Sequence, residues 1–254
     1  MPDAPPTSDT IHADVGIVYA TAMEMAPLFA RCDRIRKYIG GRYTFRGARL
    51  GEIRIAGVQC GMGAAAARQA TRALLDGHTP KWIISAGFSG ALRPGLKVGD
   101  IVVGNALVSE QGDELSIDLK MEPNPSAGLY VGRLLMTGSI VRTVAEKQAL
   151  AEKHGALAVD MESLAVAQAC RDAKIRCLAV RAISDDLSAD LPPEILTVVG
   201  GTGSVRLGAA LGAIWKRPGS VKEMWRLREL AMTAADRLAD FLEGVIQQLY
   251  DADH

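Results

Sequence analysis

Carboxylates follow two short apolar runs in the second half of the chain. Asp160 and Glu162 come directly after residues 156–159, and Asp185 follows residues 177–183. Short apolar runs of this kind predict buried strands. Carboxyl groups held in a cleft can transfer protons and accept hydrogen bonds from hydroxyl groups, so these residue types at these positions indicate a site for acid–base chemistry.

The segment between the two runs predicts how the carboxylates are brought together. Residues 163–173 are rich in Ala, Leu and Gln, which favour helix. A strand, a helix and a second strand predict a right-handed parallel crossover. Both carboxylate groups would then lie at one edge of one sheet, where open α/β sheets bind ligands.

Glu24 is a fourth carboxylate, and it follows a third apolar run. Residues 14–20 predict the first buried strand, and residues 25–32 predict a helix with Pro27 in its first turn. Two interpretations stay open at this point. An acid near a helix N-terminus is favoured by the macrodipole, and an acid at a strand-to-helix corner can also serve a site.

Two glycine-containing stretches follow other apolar runs. Gly61 and Gly63, with Ala66, fit the dinucleotide pattern G-x-G-x-x-A loosely, but the next strand, residues 82–86, has no acid at its end to bind an adenosine ribose. A tight turn with exposed amides, able to meet an anion or a sugar hydroxyl, is the favoured interpretation.

The second glycine-containing stretch follows residues 82–86. Gly87, Phe88 and Ser89 form the start of a predicted loop, in which glycine lets the backbone approach a ligand closely.

The remaining elements are predicted more coarsely. Residues 38–60 indicate a β-meander, residues 109–133 a mobile loop, and residues 143–153 a helix that Gly155 ends. Asp100 is expected to hold the turn before the strand at residues 101–108. The final helix carries an apolar stripe at Ala234, Leu238, Phe241, Leu242, Val245 and Leu249.

The composition excludes several classes of function. Lysine and arginine number 29, as do aspartate and glutamate, so no long-range field draws the protein to nucleic acid. The four cysteines and four histidines are dispersed, which predicts neither disulfides nor a metal site and indicates a reduced, cytoplasmic protein. Residues 1–13 lack a signal-peptide pattern and predict a disordered tail.

Four segments of the chain resemble the nucleoside phosphorylase and nucleosidase superfamily. They are GIVYATAMEMAPL, CGMGAAAA, SAGFSGAL with VGDIVV, and AVDMESLAVAQAC with VRAISDD. The resemblance implies one α/β domain over residues 14–254, with three α/β/α layers and a twisted, partly barrel-like mixed sheet. It also implies a homodimer or hexamer that cleaves the N-glycosidic bond of a nucleoside without a cofactor.

The resemblance assigns roles to the carboxylates. Asp185 would protonate a purine at N7, and Glu162 would hold the ribose 2′- and 3′-hydroxyls with Met161 beneath the sugar. Asp160 and Ser184 match positions beside these groups in the family. A ribosyl cation-like state needs a neutralised leaving base, a held sugar and a nucleophile on the opposite face.

The nucleophile distinguishes the two branches of the family. The hydrolytic branch carries a glutamate after the first strand to activate water, and Glu24 falls there. Phosphorylases use arginines and a serine around phosphate, whereas this chain has Ser85 and Phe88 at the matching positions. A nucleosidase is therefore expected, with a phosphorylase or a non-catalytic nucleoside-binding protein as the alternatives.

The substrate is less well defined by the resemblance. Methylthioadenosine/adenosylhomocysteine nucleosidases stack an aromatic residue on adenine where this chain has Val141. The predicted helical extension, residues 207–254, resembles that of hopanoid-associated phosphorylase-like proteins, which act on a nucleoside with a large apolar 5′ group. Its basic amphipathic part, with Trp215 and Trp225, would suit peripheral contact with a membrane.

Overall fold

The computed structural model describes residues 12–198 and 220–252, without the side chains of residues 197–198 and 220–224. The strands are β1 Val15–Tyr19, β2 Asp33–Gly40, β3 Tyr43–Leu50, β4 Ile53–Gln59, β5 Trp82–Ala91, β6 Ile101–Ser109, β7 Glu114–Ser116, β8 Leu129–Met136, β9 Ala158–Asp160 and β10 Arg176–Asp185. The helices are α1 Ala22–Ala30, α2 Ala64–His78, α3 Val144–His154, α4 Ser163–Asp172, α5 Ile195–Val198 and α6 Ser220–Asp251, with a 3-10 turn at Pro125–Ala127.

The ten strands form one mixed sheet that closes on itself at one end. Its order is β10-β6-β8-β9-β5-β1-β4-β3-β2, and β10 also pairs with β5, so five strands form a ring. The other strands extend from β5 as an open wing, and β7 adds to β6. The predicted α/β fold with a twisted, partly barrel-like mixed sheet is confirmed.

The helices cover both faces of this sheet. Helices α1 and α6 pack over one apolar cluster with β1, β4 and β10, and helices α2 and α4 pack over a second one. The apolar stripe predicted for the last helix is confirmed, since Ala234, Leu238, Leu242 and Val245 are buried. Three layers result, and the C-terminal helix contributes residues from Ala234 to Ile246 to the main core.

The predicted parallel crossover from β9 to β10 is wrong. Strand β10 runs parallel to β5, whereas β9 runs antiparallel to it. In a closed ring the strand direction must reverse an even number of times, and here it reverses between β5 and β9 and between β6 and β10. Gly90 of β5 is consequently paired on one side with Val159 and on the other with Asp185.

Several local boundaries differ from the sequence prediction. Gly87, Phe88 and Ser89 lie within β5 and not in a loop, because β9 and β10 extend the pairing of that strand to Ala91. The predicted loop at residues 109–133 contains β7 and the start of β8. Residues 43–50 form one continuous strand through Gly47, and β2 begins at Asp33, before the predicted meander.

Helix α1 starts earlier than the sequence predicted. The Glu24 carboxylate accepts the Thr21 amide at 2.7 Å, which closes the first turn at Ala22 and leaves Pro27 inside the helix. Two other predictions of local structure are confirmed. Gly155 ends α3 in the left-handed conformation with φ 65°, and Asp100 accepts the Lys97 amide at 2.8 Å across its turn.

The ends of the chain are described only in part. Ala13, inside the predicted tail, is buried and donates its amide to the His78 carbonyl at 3.0 Å. Residues 1–11 and most of the segment before α6, including Trp215, lie outside the described residues. Among the residues that are described, no helix is long and apolar enough to cross a membrane.

Candidate active site

A buried arginine organises the site. Arg181 lies in the middle of β10, and its side chain is 2% exposed. Its Nε donates to Asp160 Oδ2 at 2.6 Å, and its two Nη atoms donate to the Ser85 carbonyl and hydroxyl oxygens at 2.7 and 2.9 Å. A buried charge is tolerated when it is paired and its donors are satisfied, so this network fixes the positions of β5, β9 and β10 at the site.

Asp160 also fixes the start of α4 by hydrogen bonds. Its Oδ1 accepts the Ser163 hydroxyl at 2.9 Å and the Ser163 and Glu162 amides at 3.3 and 3.4 Å. Both carboxylate oxygens of Asp160 are thus used by protein donors. Asp160 therefore holds Glu162 and Ser163 in place, and its contact with substrate stays a prediction.

Glu162 lies where α4 begins, and its Oε1 accepts the Gly63 amide at 2.7 Å. Burial, followed by the charge of Asp160, raises the pKa of Glu162 from 4.5 to about 7. The acid therefore exchanges its proton near neutral pH, and it can accept hydrogen bonds from a sugar when ionised.

The two glycine amides before α2 are already occupied. The Gly61 amide donates to the Ala20 carbonyl at 3.2 Å, and the Gly63 amide donates to Glu162. The contact of these glycines with an anion or a sugar stays a prediction, and in this structure both amides donate to the protein itself. The turn binds a carboxylate of the protein itself, and Gly63 adopts φ 95°, which favours glycine.

Glu24 joins the helix start to β5. Its Oε1 accepts the Phe88 amide at 3.1 Å, and a Cβ at Gly87 would lie 2.9 Å from the same oxygen. Burial raises the pKa of Glu24, against the backbone hydrogen bonds from Thr21 and Phe88 and the charge of Arg181. The residue closes the helix turn and is also a buried acid at the site, so the two interpretations left open by the sequence are compatible.

Asp185 ends β10 in a different environment. Its Oδ1 accepts the Ser184 hydroxyl at 2.7 Å, and its Oδ2 lies 2.5 Å from Lys147 Nζ. The Asp185 side chain is 16% exposed, whereas that of Lys147 is fully buried. Asp185, the predicted leaving-group acid, is therefore one member of an ion pair whose other member, Lys147, is fully buried.

The other predicted binding residues line the same region with less definition. Ser89 is buried in β5, and no hydrogen-bond partner for its hydroxyl is found among the described residues. A buried hydroxyl without a partner is costly, which favours a role in binding a ligand. Phe88 packs against the cluster that α1 and α6 cover, Val141 packs against an apolar cluster that includes Val159, and Met161 is partly buried.

Two charged residues were missed from the sequence. Arg181 had a signal, because a charge in the middle of a buried strand must find a partner. Lys147 had none, since it lies between Glu146 and Gln148 in a helix whose polar residues read as solvent-facing.

The arrangement suits a substrate that develops positive charge. Glu24, Asp160 and Glu162 surround one arginine, and Asp185 is balanced by Lys147. Carboxylates stabilise a cation and take up protons from water. Arg181 already donates to Asp160 and Ser85, so the guanidinium is engaged by the protein and is poorly suited to holding an incoming phosphate.

Comparisons with known proteins identify relatives over most of the chain. A family model described as the phosphorylase superfamily matches residues 14–130 and 119–198. A 5′-methylthioadenosine/S-adenosylhomocysteine nucleosidase of Haemophilus influenzae (strain PittGG) is 30% identical over 199 residues, 67% of this chain and 85% of that protein. One from Maridesulfovibrio salexigens is 24% identical over 201 residues, 69% and 87% of the two chains.

Solved structures share the fold. The Neisseria meningitidis 5′-methylthioadenosine/S-adenosylhomocysteine nucleosidase in complex with methylthio-immucillin-A has a TM-score of 0.66 at 19% identity, covering 91% of this chain and 98% of that one. The Campylobacter jejuni nucleosidase has a TM-score of 0.70 at 15% identity, covering 93% and 99%.

Proposed function

Because the chain belongs to the phosphorylase superfamily, as its sequence motifs predicted, we propose that it is a nucleosidase that cleaves the N-glycosidic bond of a purine nucleoside with water. Relatives named as nucleosidases support the hydrolytic branch. The observation that carries the proposal is the burial of Glu24 beside Gly87 and Phe88, on the same sheet edge as Asp185.

The substrate is a nucleoside with a substituent at the 5′ position. The named relatives act on 5′-methylthioadenosine and S-adenosylhomocysteine, which share adenine and a sulfur-linked 5′ group. Val141, packed in an apolar cluster, replaces the aromatic residue expected to stack on adenine. Because the two named compounds share adenine, we propose an adenine-type base.

Glu162 holds the sugar in this mechanism. The carboxylate is fixed at the start of α4 by the Gly63 amide and by Asp160, which accepts the amides of Glu162 and Ser163. Hydrogen bonds to the ribose hydroxyls strengthen as positive charge develops at the anomeric carbon. The negative charge of Glu162 stabilises that state directly.

Glu24 activates the nucleophile. Burial raises the pKa of this carboxyl, so it accepts a proton from water more readily than an exposed glutamate does. Its two backbone hydrogen bonds, from Thr21 and Phe88, hold the carboxylate in one orientation. A general base held in one orientation, here the Glu24 carboxylate, lowers the entropic cost of bringing water to the anomeric carbon.

Asp185 neutralises the departing base. Its carboxyl group is the more exposed member of the pair with Lys147, and Ser184 orients it. Proton transfer to N7 turns the purine into a good leaving group, since the electron pair of the broken bond then rests on a neutral heterocycle.

The nature of the sugar product tests the proposal. Purified protein is incubated with adenosine, inosine, 5′-methylthioadenosine and S-adenosylhomocysteine, with and without phosphate, and both products are identified. Free base with free ribose or 5′-substituted ribose, released without phosphate, is expected. Strict dependence on phosphate, with a sugar 1-phosphate product, would identify a phosphorylase, and binding without release would identify a nucleoside-binding protein.

The proposal extends to assembly and location. We expect a cytoplasmic homodimer or hexamer, measurable by light scattering. The start of α6 presents an exposed Trp225 stacked on Arg228, and Met232 follows on the same helix. These residues suit peripheral contact with an anionic membrane, which sedimentation with vesicles of mixed anionic and neutral lipid would measure.

A further inference from the structure

We propose that Lys147 is a positioning residue that supplies the proton which Asp185 passes to the departing base. The inference rests on the proposed nucleosidase function and deepens it. It is carried by the ion pair between Lys147 and Asp185, whose nitrogen and oxygen lie 2.5 Å apart at the inner end of the site.

The ammonium group of Lys147 makes its contacts at the end of β10. Its side chain is fully buried, and besides Asp185 its Nζ donates to the backbone carbonyl of Asp186 at 3.1 Å. Both contacts lie at the end of β10, so the ammonium faces the two residues where the leaving group is handled. Of the two side chains, that of Asp185 is 16% exposed and that of Lys147 is fully buried.

A contribution to stability does not explain a buried lysine at this position. Removing an ammonium group from water is costly, and apolar side chains of similar size commonly stabilise a core as well as a buried ion pair does. Lys147 is also the fourth residue of α3, near the helix N-terminus, where the macrodipole disfavours a cation. A function for the charge accounts for both costs.

Gly90 provides the space in which the pair forms. A Cβ at Gly90 would lie 2.9 Å from Asp185 Oδ2 and 3.4 Å from Lys147 Cε. The same glycine is paired with Asp185 on one side and with Val159 on the other. Because Gly90 of β5 has no side chain, Lys147 and Asp185 have room to meet inside the barrel.

The pairing raises a question of proton supply. Asp185 accepts the Ser184 hydroxyl on Oδ1 and the Lys147 ammonium group on Oδ2, so both of its oxygens are occupied by donors of the protein. The charged donor at this carboxyl group is Lys147, whose Nζ lies 2.5 Å from Oδ2. Lysine can release a proton when it is desolvated, unlike arginine, which stays charged in proteins.

The proton transfers balance over one turnover. As the bond between the anomeric carbon and the purine nitrogen breaks, its electron pair moves onto the base, N7 takes a proton from Asp185, and Asp185 takes one from Lys147. Water forms the new bond to the anomeric carbon and gives its proton to Glu24. Release of that proton to solvent and uptake of one by Lys147 restore the enzyme.

The other charged groups around the pair come from three elements. After β10, Asp186 has its pKa held below the usual range: burial opposes this, but hydrogen bonds from Ser188 and the charges of Lys147 and Arg226 prevail. Arg226 belongs to α6. On α3 itself, Glu146 is turned away to the helix start, where it accepts the Thr143 amide at 3.0 Å.

Substrates with different leaving groups test the proposal. Lys147→Gln and Lys147→Arg are compared with the parent on a 5′-substituted purine nucleoside and on 4-nitrophenyl β-D-ribofuranoside, whose leaving group departs without a proton. For both variants kcat on the purine nucleoside should fall about 100-fold or more, with kcat on the nitrophenyl riboside within about 3-fold of the parent. Lys153→Gln, an exposed lysine of the same helix, should leave both rates unchanged.

The pH profile gives a second readout. In Lys147→Gln, Asp185 must carry its own proton, so activity on the purine nucleoside should fall as pH rises through the ordinary carboxyl range. Equal losses on both substrates, an unchanged pH profile, or full purine activity in Lys147→Arg would overturn the proposal.

A double variant separates the loss of proton supply from damage to the fold by an unpaired carboxylate. Lys147→Gln leaves Asp185 without its partner, whereas Lys147→Gln with Asp185→Asn leaves a neutral pair. If Lys147 acts through Asp185, the double variant should be no slower on the purine nucleoside than Asp185→Asn alone, and an additional loss would contradict the proposal. A parent protein that releases no base from any nucleoside would instead refute the proposed function.

Discussion

Arg181 and Asp160 form an ion pair of 2.6 Å between side chains that are 2% and 0% exposed. The pair links β10 to the end of β9, two strands that are not neighbours in the sheet. Since Asp160 also accepts the amides at the start of α4, this ion pair helps to fix the position of Glu162, together with the Gly63 amide.

Removal of Arg181 should therefore destabilise the protein strongly. Arg181→Met leaves the buried Asp160 carboxylate without its cation, and the free energy of unfolding should fall by about 3–5 kcal/mol. Urea denaturation followed by circular dichroism measures the change. The matched control is Arg171→Met, which removes an exposed pair with Asp172 and should cost less than about 1 kcal/mol. Similar losses in the two variants would contradict the structural role given to Arg181.

A methyl group at Gly87 should impair catalysis without unfolding the protein. The Cβ of Gly87→Ala would lie 2.9 Å from Glu24 Oε1, so the carboxylate must shift. Displacement of a catalytic group by a fraction of an ångström to an ångström lowers kcat by about 10- to 100-fold. Steady-state rates of base release and a thermal melt measure the two effects. Gly47→Ala, in β3 with nothing within 4 Å of its Cβ, should change neither.

Glu24→Gln should remove the general base that activates water while keeping the shape of the site. An amide cannot take the proton of water, and kcat for base release should fall by about 100- to 10,000-fold. Nucleoside binding, measured by calorimetry, should remain close to that of the parent. Glu52→Gln, whose side chain is 90% exposed, serves as the control. Parent-like turnover in Glu24→Gln would remove Glu24 from the mechanism.

Glu162 should make stability depend on pH near neutrality. Its folded-state pKa of about 7 lies above the value of 4.5 expected without burial, so the folded protein favours the protonated acid. The corresponding stability is fully present below pH 4.5 and is lost as pH rises through about 7. Over that window the loss approaches about 1.4 kcal/mol per pH unit.

Urea titrations from pH 5 to 8 test this dependence. The free energy of unfolding of the parent should decline with pH more steeply than that of Glu162→Gln. Some decline should persist in the variant, because burial also raises the pKa of Glu24. Parallel curves for parent and variant would show that Glu162 ionises normally in the folded protein.

Much of the site could be predicted because its acids end apolar runs. Strands β1, β5 and β10 are parallel, so the residues after β1 and at the end of β10 lie at one edge. The sequence predicted a shared edge for Asp160, Glu162 and Asp185 instead, from a parallel crossover that the sheet does not contain. The family resemblance separated their roles, which the residue pattern alone left open.

The rest depends on contacts between residues far apart in the chain. The direction of β9 follows from ring closure, to which a three-residue strand contributes little local signal. Lys147 is buried because Gly90, 57 positions earlier in the chain, leaves room for it. Neither feature is encoded in the residues next to it.

Strand β5 contacts three charged groups of the site: Arg181 through Ser85, Glu24 through Gly87 and Phe88, and Asp185 through Gly90. A one-residue insertion or deletion there would reverse which side chains face the site and would misplace all three groups at once. Evolution of a new substrate range is therefore expected to leave β5 unchanged. Variation would accumulate instead at positions such as Val141 and Met161, which border the site without holding its charges.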